Sequence, residues 1–169
     1  MATTEEETAT GTSTASLTET ISYGPSLLVQ VLIGFWALWW SIVFGTNFFD
    51  GLVQLGVLGE GFTLASGNYG FLLSVTEVHG TPSSLVALIF AAGVVWELGV
   101  AVLTWSAFAD ALGGMPSKSV LYRAFIPAVG FFAAFLLLTE VFLAYDLATT
   151  HVRLFIASLL TLFVVDQWL

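Results

Sequence analysis

The sequence predicts an all-α integral membrane protein: a four-transmembrane-helix antiparallel bundle with a long, partly helical connection capping one end. Three observations carry this expectation. Only 9% of the 169 residues are charged, 57% are hydrophobic, and the mean hydropathy is +0.95. A soluble domain has about a quarter of its residues charged. Four apolar runs are each long enough to cross a ~30 Å hydrocarbon core, which takes about 20 residues at 1.5 Å rise. Beyond the first 24 residues, charged side chains lie between these runs or near their ends, and Glu97 is the exception.

The division is an acidic tail, 1–24, and a four-span membrane domain, 25–169. The tail is rich in Thr, Ser, Ala and Glu and has almost no large apolar side chain before Ile21. It buries too little surface to offset its ordering entropy, so it is expected to be disordered. It also lacks the basic start of a secretory signal. Tyr23-Gly24-Pro25-Ser26 is a helix-entry signal, and the first span, 26–46, follows without a charge. Trp36, Trp39 and Trp40 lie inside it, with Trp36 and Trp40 on one face at i, i+4. Residues 47–81 form the cap. They are glycine-rich and half apolar, with runs too short to span, and are expected to rest on the bundle or at headgroup level.

Thr81-Pro82-Ser83 opens the second span, 83–108, because proline fits the first helical turn. Asp110–Lys118 is a Gly- and Pro-containing turn. The third span, 119–145, holds Pro127, which should bend it near Arg123–Phe125. Small residues such as Ala128 and Gly130 let neighbouring helices approach. Asp146–Thr150 reads as a tight connection, and Thr149 or Thr150 is placed to cap the fourth span, 149–168.

Four antiparallel spans put 47–81 and 146–150 on one side. Asn47, Asp50, Glu60, Glu77, His79, Asp146 and His151 then gather at that end, and Asp110, Lys118, Arg123 and Asp166 at the other. Lys118 and Arg123 outweigh Arg153, so both termini are expected on the cytoplasmic face of the cell membrane. Glu140 lies about 9 Å and Arg153 about 6 Å below the crowded end. The matching depths predict a Glu140–Arg153 ion pair with Asp146 and His151 above it, since a charge in hydrocarbon needs a partner. Glu97 is about 21 Å down its span, with no basic residue at that depth. It should face inward with Gly93, Ala101 and Thr104. The expected partners are the indole of Trp36 or the hydroxyls of Ser158 and Thr161.

Several chemistries are excluded. Without cysteine there is no disulfide, thiolate zinc site, iron–sulfur cluster or cysteine nucleophile. Three basic residues against twelve acids argue against a nucleic-acid partner. The few lysines, with many Thr, Ala, Gly and acidic residues, resemble haloarchaeal composition. No catalytic residue is assigned, because no serine sits in a nucleophile elbow and no aspartate pair lies at depth. No cofactor is assigned either: His79 precedes its helix, an awkward place for a bis-histidine haem ligand. A metal site would have to draw on Glu77, His79, Asp146 and His151, whose donor atoms suit zinc or iron. The buried polar candidates are Glu97, Glu140, Arg153, Asp146 and His151. These features fit a non-enzymatic accessory or scaffold subunit whose partners are the bilayer and a membrane protein or second copy. The alternative is a small proton, ion or solute transport component using Glu97 and the Glu140/Arg153 layer.

Overall fold

The computed structural model describes residues 24–169, which form helices and connections without a strand. The acidic tail lies outside the described residues except for Gly24. Five α-helices follow in order: α1 (Pro25–Gln54), α2 (Asn68–Thr76), α3 (Ser83–Leu112), α4 (Lys118–Val141) and α5 (Tyr145–Asp166). A short 3-10 turn, Glu77–His79, extends α2. All but α2 are long and apolar enough to cross a membrane.

The helix from Ser83 runs to Leu112, one turn beyond the expected 108, and three other boundaries differ from the sequence expectation in ways that bear on the site. The first helix continues two turns past Thr46, so 47–54 belongs to α1 and not to the cap. Asn47 and Asp50 resemble loop residues, yet both turn inward from the helix and are buried. The third long helix stops at Val141 rather than Tyr145. Leu143 there takes a left-handed conformation, φ 55°. The Ala144 N–H donates to the Thr139 carbonyl at 2.8 Å and the Leu143 N–H to the Glu140 carbonyl at 3.3 Å. This pair of bonds is a Schellman stop, which usually carries glycine. Consequently Asp146–Thr150 is not a connection; it lies inside the first two turns of α5.

Contacts pair the start of α1 with the end of α3, and the end of α1 with the start of α3. Gln30 Nε2 donates to the Ala111 carbonyl at 2.9 Å. Trp105 Nε1 donates to Ser41 Oγ at 2.8 Å, and Gly51 faces Phe90. Gly34 lets this seam close: a Cβ there would sit 2.8 Å from the Phe108 ring. At one end of the molecule Lys118 meets Asp166 at 3.1 Å, joining the start of α4 to the end of α5. At the other end His79 Nε2 donates to the Val141 carbonyl at 2.7 Å, fastening the 3-10 turn to the end of α4.

The core is aromatic where α1 meets α4. Trp40 packs edge-on against Phe131 with centroids 5.2 Å apart, and Trp36 lies 6.5 Å from Phe125. Trp36 Nε1 donates to Thr161 Oγ1 at 3.0 Å, which ties α1 to α5. Trp96 Nε1 donates to the Pro127 carbonyl at 3.1 Å, which ties α3 to α4. α4 runs as one helix through Pro127. The outward faces are apolar, with Ile42, Leu88, Val95 and Leu137 each about two-thirds exposed.

Candidate functional site

Glu97 sits near the middle of α3 and is only 4% exposed. Its helical neighbours explain how a carboxylate fits there. Gly93, one turn earlier, has open space at its missing Cβ. Ala101 and Thr104, one and two turns later, are buried on the same face. Thr104 is satisfied within its own helix, donating to the carbonyls of Val100 and Ala101 at 2.9 Å.

The partner of Glu97 is Asn47, whose Nδ2 donates to Oε1 at 2.7 Å. This corrects the expected partners. Because α1 continues to Gln54, its register brings Asn47 rather than Trp36 opposite Glu97. Trp36 and Thr161 bond to each other instead, and Ser158 Oγ donates to the Leu154 carbonyl. The second oxygen, Glu97 Oε2, is buried with no hydrogen-bond partner among the described residues. A buried polar atom left unpaired is costly, so it needs an explanation.

Asn47 links Glu97 to the cap. Its Oδ1 accepts from Ser66 Oγ and from Asn68 Nδ2, each at 2.7 Å. Asp50, one turn further along α1 and 2% exposed, accepts from the Tyr69 N–H at 2.8 Å. Ser66 Oγ lies 3.2 Å from the same Asp50 oxygen. Two polar side chains on one face of α1 thus hold the loop before α2 and the first turn of α2 in place.

Beneath this cap, between the four long helices, lies a partly open cavity of about 340 Å³. Its volume is in the range of small-molecule sites. Glu97 and Asn47 line it from α3 and α1, Thr139 from α4 and His151 from α5. Much of the remaining wall is aromatic, including Trp39, Phe90, Phe131, Phe132 and Phe135. Its exposed lining residues, Asn68, Phe71 and Thr150, all belong to the capped end. Further toward the other end, the space between the helices is filled by Trp36, Trp40, Phe125 and Leu121, all buried.

The other candidate residues are dispersed. Glu140 and Arg153 are both exposed. They form no ion pair; among the described residues Lys118–Asp166 is the one such contact within 4.0 Å. The expected Glu140–Arg153 layer is therefore corrected. The helix ends that set their depths lie elsewhere, and matching depth does not turn two side chains toward each other. Asp146 is exposed in the first turn of α5. His151 is half-buried, stacks on Phe135 at 5.0 Å, and donates from Nδ1 to the Leu147 carbonyl at 3.1 Å. Glu77, His79, Asp146 and His151 do not converge, and no three His, Asp or Glu residues among the described ones could hold a metal ion. His79 is engaged by Val141 instead, and Glu77 is exposed.

Sequence alone does not single out Asn47, Ser66 or Asn68 as site residues. Their signal is faint but physical: Asn47, Asp50 and Gln54 recur at i, i+3 and i+7, the period of one helical face. Ser66 and Asn68 carry no comparable pattern. Compared with protein-family models, with curated proteins and with solved structures, the chain matches none.

Proposed function

We propose that the chain is a multi-pass protein of the cell membrane, an antiparallel four-span bundle acting as a non-enzymatic accessory subunit that binds a small ligand beneath its cap. The α1–α3 contact order supports antiparallel packing, pairing residues 30 with 111, 41 with 105 and 47 with 97. The apolar outward faces support burial in lipid or against a membrane-protein partner. Three indole N–H groups bonded between helices suit an environment that offers no water. The bias of Lys118 and Arg123 over Arg153 favours cytoplasmic termini, which puts the capped end outside.

One observation carries the binding reading: Glu97 lines a cavity whose exposed lining lies at one end, and its Oε2 is buried without a partner among the described residues. Buried side-chain polar atoms are in the large majority paired, and Trp40 Nε1, also buried without a partner among the described residues, does not line the cavity. The same Glu97 also favours a second reading, proton or ion movement, because an intramembrane carboxylate is a functional candidate by default. The aromatic filling beyond the cavity, and the exposed Glu140 and Arg153, which form no ion pair among the described residues, weigh against a path through the bundle.

Reconstitution into liposomes containing a pH-sensitive dye separates the two readings. Binding without transport predicts equal, background proton leak for the wild type and Glu97→Gln. A proton flux carried by the wild type and abolished in Glu97→Gln would replace the accessory reading with transport.

A further inference from the structure

The hydrogen-bonding groups around the cavity are unevenly matched, and the mismatch selects a ligand. Glu97 Oε2 lacks any donor among the described residues. His151 Nδ1 must carry the proton it gives to the Leu147 carbonyl, so in the neutral ring Nε2 has only a lone pair to offer. Thr139 Oγ1 uses its one proton on the Leu136 carbonyl at 2.7 Å, which also leaves it an acceptor. Asn47 and Asn68 each have one amide N–H engaged and a second left over. Charge decides what these amides leave open. No lysine or arginine lines the cavity among the described residues, and Glu97 is its one acid. An anionic ligand would meet a carboxyl group and no cation.

The wall chemistry points the same way. Trp39, Phe90, Phe131, Phe132 and Phe135 surround the space. Aromatic faces attract cations within about 6 Å of the ring centroid, most strongly where water is excluded.

We propose that the cavity binds an organic cation, with an ammonium group beside the Glu97 carboxylate and an apolar body lying against the aromatic wall. This rests on the binding reading of the same cavity and names its ligand class. An ammonium brings donors and no acceptor. It also supplies the counter-charge that the lining lacks, which offsets the cost of an ionised carboxylate at this depth.

The test is a matched probe series on the full chain in nanodiscs of zwitterionic lipid. Phenylbutylammonium, phenylbutanol and 5-phenylpentanoate share one phenylbutyl body and differ only in the head group. Binding is read by tryptophan fluorescence and by ligand-induced change in Tm. The ammonium should bind about 10-fold or more tightly than the alcohol, and the carboxylate should not bind. Glu97→Gln should reduce ammonium affinity to that of the alcohol and leave the alcohol unchanged. If alcohol or carboxylate bound as tightly as the ammonium to the wild type, the cation assignment would be overturned while the binding cavity stood. If none of the three moved either readout, both the ligand class and the binding reading would fall. The comparison among probes on the wild type stands even if Glu97→Gln fails to fold.

Discussion

Asn47 is the residue on which the candidate site turns. It donates to Glu97 and accepts from the cap, so its loss would release both. Asn47→Ala should lower stability by about 1–3 kcal/mol, because it leaves a second Glu97 oxygen unpaired. Thermal unfolding in detergent measures this. Adding Glu97→Leu should recover part of the loss, with a coupling of about 0.5–3 kcal/mol between the two sites. Strict additivity would mean that the two side chains do not depend on each other. The sequence made Glu97 conspicuous, since one carboxylate in a long apolar run stands out. It concealed Asn47, because an asparagine at the end of an uncharged stretch reads as the start of a loop. Only the helical spacing to Asp50 and Gln54 distinguishes the two cases.

The long helices were legible because their apolar runs exceed what any soluble core requires. Their ends were not, and each error has a local cause. α1 runs through Asn47, Asp50 and Gly51 because Asn47 and Asp50 find partners on the cap and Gly51 packs beside Phe90. α4 stops where no glycine or proline announces a stop: Leu143 occupies the left-handed position itself. A branched side chain in that conformation is disfavoured by roughly 1–2 kcal/mol. Leu143→Gly should therefore raise stability by about 1 kcal/mol, since Leu143 is exposed and little packing is lost. Chemical unfolding in mixed micelles checks it. An unchanged or lowered stability would mean that the connection does not strain Leu143. The same boundary shift places His151 in the second turn of α5 and Arg153 in the third, rather than at the start of a helix. With α5 starting at Tyr145, the apparent match in depth between Glu140 and Arg153 disappears.

At the scale of the whole molecule, the two ends differ. One carries the cap, the cavity and a polar network running from Glu97 through Asn47 to Asp50. The other is packed with aromatic and aliphatic side chains down to the Lys118–Asp166 contact. This asymmetry favours the proposed binding site, entered from one side, over a conducting path. The absence of cysteine makes the asymmetry measurable, because an introduced cysteine is the sole thiol in the chain. Gly93 lines the cavity one turn from Glu97 with open space at its Cβ, whereas Thr104 is fully buried two turns beyond. The most direct measurement is labelling of Gly93→Cys and Thr104→Cys in oriented vesicles with a membrane-impermeant cationic thiosulfonate. The one-sided cavity predicts that Gly93→Cys reacts from the capped side alone and that Thr104→Cys reacts from neither. Reaction of Gly93→Cys from both sides or from neither, or of Thr104→Cys from either, would contradict it.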